Sequence, residues 1–373
     1  MTSRIPIFLL TSVTVLLRLA VYALIAIPMG GLASAACGYD CVWYVRLAAE
    51  GYASHGDWEP VGPVPNWAFF PLFPLLIRTV MATGISAAVA GLVVANAVLV
   101  GFVMLGAAWL QRTRTAHDSR LWVLFALLFP FGFIFSVPYT EGLFGALMVA
   151  ALLAMADGRR LLAGCAIALM CATRPNGVVM LPLLAVACFR ALYLGWPLAT
   201  SRLALLGETM LPLSVAPLGL SAWMAYQYGM IGDALAFSHV QILWDRAWIG
   251  PVAQLNLAFQ AWDWDRVIAI TGPASASYNA TWSVLGLAVA VWLGWQRRWS
   301  EAYILGVCIL LPLSSGIHSM PRFVATNPAF LFACFDLVRR IRHRSTLAAL
   351  GTAFAMAQSV LIFGWYHSAN ALF

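Results

Sequence analysis

The stretch IPIFLLTSVTVLLRLAVYALIAIPM, residues 5–29, is followed by CGYDCVWYVRLAAEGY, residues 37–52, and this pair decides how the chain must be read. The first stretch is long enough to cross a bilayer, whose hydrocarbon core takes about 20 apolar residues. It follows Arg4, runs too long for a signal-peptide core and lacks a cleavage site, so it is expected to be an uncleaved signal anchor. The second stretch puts a carboxylate, Asp40, just before a run in which Trp43, Tyr44, Leu47 and Gly51 share one helical face. Tryptophan and tyrosine suit the headgroup region, which predicts a helix over 40–52 lying in the membrane interface.

Composition carries the same reading through the rest of the chain. The sequence is 62% hydrophobic and 9% charged, against about 25% charged in an average soluble domain. It cannot cover itself with polar surface, and the expected fold is an all-α polytopic membrane protein, one domain over 1–373. Apolar segments predict spans near 5–29, 86–110, 121–137, 138–156, 161–175, 177–194, 204–229, 281–296, 302–314, 322–338 and 346–366, about 11 transmembrane helices. Between them lie two long external regions, 30–85 and 230–280. The first is expected to hold the 40–52 helix, a loop over 56–67 and a second aromatic helix over 68–82.

Orientation follows from the arginines, which make up all 21 basic residues. With the N-terminus cytoplasmic, fourteen fall on inner segments and six on outer ones. The carboxylates lean outward, among them Asp40, Asp57, Glu59, Glu141, Asp233 and Asp245. The working face is therefore expected on the outer side. The net charge of +7 gives no sign of nucleic acid as a partner, because the arginines sort by membrane side.

Each candidate residue has two readings. Asp40 is either a helix N-cap or a carboxylate placed to take a proton from a hydroxyl. Tyr139 and Glu141, in SVPYTEGLF, stand where an outer loop enters a span, and Glu141 either favours a helix N-terminus or acts at membrane depth. Arg174, in TRPNG, and Arg322, in HSMPRFVATNPAF, suit phosphate, since a guanidinium is a planar fork of donors; the plainer reading is a snorkelling arginine. His318 reads as a substrate contact or a solvated loop residue. Arg18 lies inside the first span and needs a partner in the bundle or a lipid phosphate. HVQILWDRAWIG, 239–250, and WDWD, 262–265, read as a sugar-binding wall or as interfacial anchors. Cys37 and Cys41 form a disulfide or stay thiols. Asn279-Ala280-Thr281 is a glycosylation sequon. No metal-ligand spacing, Gly-rich phosphate loop, HExxH or GxSxG is present.

Six motifs, in this order, resemble the PIG-V-type mannosyltransferase family of GT-C glycosyltransferases, in particular its bacterial members. They are YDCVWYVRLAAEGY (39–52), AFFPLFPLLIR (68–78), PYTEGLF (138–144), TRPNG (173–177), GDALAFSHVQ (232–241) and PRFVATNPAF (321–330). Tyr39-Asp40 departs from the Trp-Asp often found in the family but keeps the acid. The resemblance implies a GT-C bundle with interfacial helices in the first external loop. It implies a polyprenyl-phosphate sugar donor, mannose or a related hexose, and inverting transfer to a lipid, glycan or protein acceptor on the outer, periplasmic face of a bacterial inner membrane. Asp40 would be the general base. Arg174, Arg322 or Arg18 would hold the donor phosphate, and Trp43, Tyr44, Tyr139, Glu141 and His318 would contact substrate. A divalent cation shared by Asp40 and Glu141 stays open. The alternative is a transporter or flippase of a lipid-linked sugar, for which paired repeats are expected and none is seen.

Overall fold

The computed structural model describes residues 6–52, 65–114, 119–197, 200–266 and 275–367. Arg4, Asp57, Glu59 and the 56–64 part of the expected loop lie outside the described residues. Among the described residues every regular element is helical.

Each of the eleven apolar stretches carries a helix, but they differ in reach. Five segments are long and apolar enough to cross a membrane: Ile7–Met29, Ala87–Thr113, Pro175–Gly195, Ala276–Trp295 and Arg344–Tyr366. The pair Arg202–Val215 and Leu218–Ile231, bent by 44°, makes a sixth if it is one span. Ser119–Leu128, Glu141–Ala156, Arg160–Cys171, Trp299–Leu313 and Pro328–Val338 are shorter. A 15-residue helix is about 22 Å long, less than a hydrocarbon core of about 30 Å. Proline interrupts the apolar runs: Pro130 and Pro175 open 3₁₀ turns, Pro217 stands at the bend, and Pro328 restarts a helix after Asn327. Proline lacks the N–H that an unbroken helix needs.

The broken backbone after Leu128 explains Arg18. Its guanidinium is buried and donates to the carbonyls of Leu127 (2.9 Å) and Gly132 (3.4 Å) and to the Ser136 hydroxyl. The amide of Gln358 donates to the carbonyls of Leu127 and Phe129, and that of Asn96 to the carbonyl of Ser136. Irregular backbone inside a membrane protein survives only where such groups are satisfied. Arg18 is thus engaged with carbonyls freed by a helix break, which corrects its expected role as a donor-phosphate ligand.

Close approach of backbones holds the next layer together. A Cβ at Gly219 would lie 1.8 Å from the carbonyl oxygen of Ala168, so Leu218–Ile231 meets Arg160–Cys171 only through glycine. Small residues serve this purpose between membrane helices, where close packing rather than water exclusion drives association.

The two ends of the bundle differ in chemistry. At one end Arg114, Arg298 and Arg339 surround the buried Glu301 and Asp336, with Trp109 donating to Glu301. Helix Trp299–Leu313 starts beside this cluster, and Leu311 and Pro312, near its other end, line a cavity. Glu301 and Pro312 are about 16 Å apart along the axis, so the ion cluster and the cavity sit at opposite ends of this helix.

Candidate active site

The cavity measures about 890 Å³, within the range of small-molecule sites. Most elements expected to contribute to a site meet here, brought together from across the chain. Helix Asp40–Glu50 brings Asp40, Trp43 and Tyr44, and Arg174 and Asn176 come from the turn after Arg160–Cys171. Trp244 ends the 240–244 turn and Arg246 and Trp248 follow it, and His318, Ser319 and Arg322 come from the segment before Pro328.

Asp40 is the first residue of its helix and makes no capping bond; Tyr39 is the N-cap residue. The carboxylate instead accepts from Arg322 Nη1 at 2.7 Å, with 27% of the side chain exposed to the cavity. Arg322 Nε lies 3.3 Å from Glu141 Oε1, and Arg174 Nη2 also donates to that oxygen. Arg174 Nε donates to Thr140 Oγ1 at 2.6 Å. Two guanidiniums and two carboxylates therefore alternate, and Arg322 forms ion pairs with both acids, hydrogen-bonding Asp40. The position that a cation shared by Asp40 and Glu141 would take is filled by this guanidinium. Glu141 is also the first residue of Glu141–Ala156, where a carboxylate favours the helix N-terminus.

Tyr139 supports Asp40 from below. Its phenol accepts from the Asp40 backbone N–H at 2.9 Å and donates to the Gly38 carbonyl at 3.3 Å, and its ring lies under the Arg322 guanidinium. Tyr44 is not a headgroup anchor: it is buried, edge-on to Phe69, Phe73 and Tyr139. Leu47 is buried with it, because the amphipathic face of Asp40–Glu50 packs on Leu72–Met81 rather than lipid. Trp43 is half-buried, stacked on Phe69 at 5.6 Å, and lines the cavity. His318 faces the cavity; burial and then the charge of Arg246 push its pKa below the usual imidazole value, against the pull of Asp245.

Three contributors escaped the sequence reading. Arg246 lines the cavity and makes no ion pair among the described residues; it donates weakly to the His318 carbonyl at 3.5 Å. Burial, with the like charges of Arg322 and Arg174 against the pull of Asp40, lowers it to about 10. Asn279 is fully buried and its carbonyl oxygen accepts from Met320 N at 3.0 Å, fixing the helix that carries Arg322. That burial removes it as a glycosylation site. Ser319, at φ 69°, turns the chain into that helix. Tyr39 (φ 52°) and Asp245 (φ 53°) share this left-handed backbone. Each such residue costs about 1–3 kcal/mol, and strain of this kind gathers at functional sites. The signal for Arg246 was present in the 239–250 stretch, read there for its tryptophans. Trp262 and Trp264 of WDWD do not line the cavity.

A scan against known protein-family models finds no match to the chain, and a comparison with curated proteins finds none either.

Proposed function

We propose that the protein is a membrane glycosyltransferase of GT-C type, moving a hexose, mannose by resemblance, from a polyprenyl-phosphate donor to an acceptor hydroxyl with inversion. The observation that carries this reading is that the Asp40 carboxylate, paired with Arg322, and three guanidiniums, Arg174, Arg246 and Arg322, line a single cavity, with Asp245 as its second carboxylate. The hydroxyl oxygen attacks the anomeric carbon opposite the phosphate, and the bond from that carbon to the phosphate oxygen breaks. The hydroxyl proton goes to Asp40. Polyprenyl phosphate leaves with the bonding pair, gaining one negative charge. Charge-assisted hydrogen bonds from the guanidiniums stabilise that charge most where it is greatest, after the bond has begun to break.

Arg246 is the first contact for the incoming phosphate in this scheme, because Arg174 and Arg322 already hold carboxylates. The arginine-rich end, with Arg112, Arg114, Arg298 and Arg339, fits the cytoplasmic side by the positive-inside rule, which supports a cavity on the opposite, outer face. In this arrangement the shorter helices serve as the remaining passes of about eleven.

The test uses the full-length protein in lipid nanodiscs, given polyprenyl-phosphate mannose or GDP-mannose together with extracted membrane lipids, glycans and peptides. A mannosylated product from the lipid donor alone is expected, read by mass spectrometry. Product from the nucleotide sugar alone refutes the donor. Movement of the lipid donor across a bilayer without conversion supports a flippase instead.

A further inference from the structure

Cys37 and Cys41 are bonded to each other, closing a ring that contains Gly38, Tyr39 and Asp40. The bond ties the second residue of helix Asp40–Glu50 to the residue that ends helix Leu32–Ala36. Between the two sulfurs the chain passes through Tyr39 at φ 52°, ψ −123°, a conformation an L side chain adopts only when its surroundings impose it. Those surroundings include the Tyr139 phenol bonded to Gly38 and Asp40, the Trp365 ring edge-on to Tyr39 at 5.0 Å, and the disulfide that closes the ring.

We propose that the Cys37–Cys41 disulfide is a positioning clasp for Asp40, so that the site is assembled in an oxidising compartment and loosened by a dithiol reductant. The role assigned to Asp40 rests on the glycosyltransferase reading above; the clasp itself does not. Two electrons from the dithiol cleave the S–S bond, leaving two cysteine thiols and the reductant as its own disulfide. Tyr39 is then free to leave the left-handed region. The next residue is Asp40, so its backbone N–H swings off Tyr139 and its carboxylate off Arg322. Closing a ring this small restrains the loop by about thirtyfold, by the loop-entropy relation for cross-links. Cys41 is fully buried, whereas Cys37 is partly exposed and offers a sulfur that a reductant can reach. Disulfides persist outside the reducing cytosol, in keeping with a cavity that opens on the outer face.

The test treats the folded full-length protein in nanodiscs with tris(2-carboxyethyl)phosphine, or with dithiothreitol, and counts thiols after denaturation. The count should rise from five to seven. Amide hydrogen exchange over 38–44 is expected to speed up about thirtyfold while exchange in Ala87–Thr113 stays unchanged. Mannosyl transfer should then lose kcat with little change in donor KM, and reoxidation should restore both readouts. Unchanged exchange over 38–44 at seven thiols overturns the clasp whatever the activity. Faster exchange with full kcat overturns its link to Asp40. Faster exchange in a protein that transfers no sugar in either state upholds the clasp and removes the glycosyltransferase reading. Cys37→Ser/Cys41→Ser repeats the measurement without reductant.

Discussion

Asp40→Asn and Glu141→Gln make the same chemical change at two carboxylates that share Arg322. The Asp40 side chain is 27% exposed and holds one ion pair, whereas that of Glu141 is 1% exposed and faces two guanidiniums. A partly exposed pair contributes about 1 kcal/mol or less, and the asparagine amide oxygen still accepts from Arg322 Nη1. Removing the buried Glu141 charge leaves Arg174 without its carboxylate and Arg322 with Asp40 alone. Breaking a buried pair in this way costs about 3–5 kcal/mol. Unfolding midpoints should therefore fall by a few degrees for Asp40→Asn and by roughly 10 °C for Glu141→Gln, at about 2–4 °C per kcal/mol. Turnover should show the opposite preference. Loss of a general base slows transfer about 10²- to 10⁴-fold, equal to about 3–5 kcal/mol of barrier. Both variants would be followed in nanodiscs by tryptophan fluorescence on heating and by single-turnover mannosyl transfer. Asp40→Asn turning over within tenfold of wild type, or unfolding earlier than Glu141→Gln, would refute the division of labour between the two acids.

Arg18→Leu strands the carbonyls of Leu127 and Gly132 in the bundle and is expected to destabilise the protein by about 3–5 kcal/mol, seen as a lowered unfolding midpoint with donor KM unchanged in the folded fraction. Gly219→Ala forces a methyl into the Ala168 carbonyl and should cost at least about 3 kcal/mol, measured the same way. His318 has a lowered native pKa, so its contribution is present above the unfolded value of 6.5 and is lost as pH falls through the native pKa; His318→Gln should flatten the decline of the unfolding midpoint between pH 7 and pH 5. Arg322→Lys keeps the charge but loses the fork that reaches Asp40 and Glu141 together, and is expected to lower kcat at least tenfold with a smaller rise in donor KM.

Membrane residence was legible because hydropathy is a local property: 62% apolar residues leave a chain few alternatives. Span integrity was not, because Phe129–Pro130 or Ala216–Pro217 ends a helix only if something else satisfies the freed carbonyls, and at the first break that something is Arg18, more than a hundred residues away. Asp40, Arg174, Arg322 and His318 could be picked out one at a time by charge at a helix end. Their convergence could not, since it depends on tertiary contacts over 282 residues for Asp40 and Arg322. Tyr44 misled for a related reason. A tyrosine on an amphipathic helix looks the same whether the facing surface is lipid or Phe69 and Phe73.

The Asp40–Arg322 pair also bears on how charge would move in the proposed transfer. The Asp40 carboxylate is held 2.7 Å from the Arg322 guanidinium, and both line the cavity. In the proposed transfer, donor phosphate arriving at Arg246 brings a second anion within reach of Arg322. The two anions then compete for one guanidinium. As the bond to the anomeric carbon breaks, the phosphate passes from one negative charge toward two, while Asp40, on taking the hydroxyl proton, passes from one to none. The sum of charge facing Arg322 is the same before and after, so the guanidinium can follow the charge from base to leaving group without a new cation entering the site. Lysine at position 322, with one point of charge, can hold either anion but cannot hand over between them, and for that reason the loss should fall on kcat more than on KM.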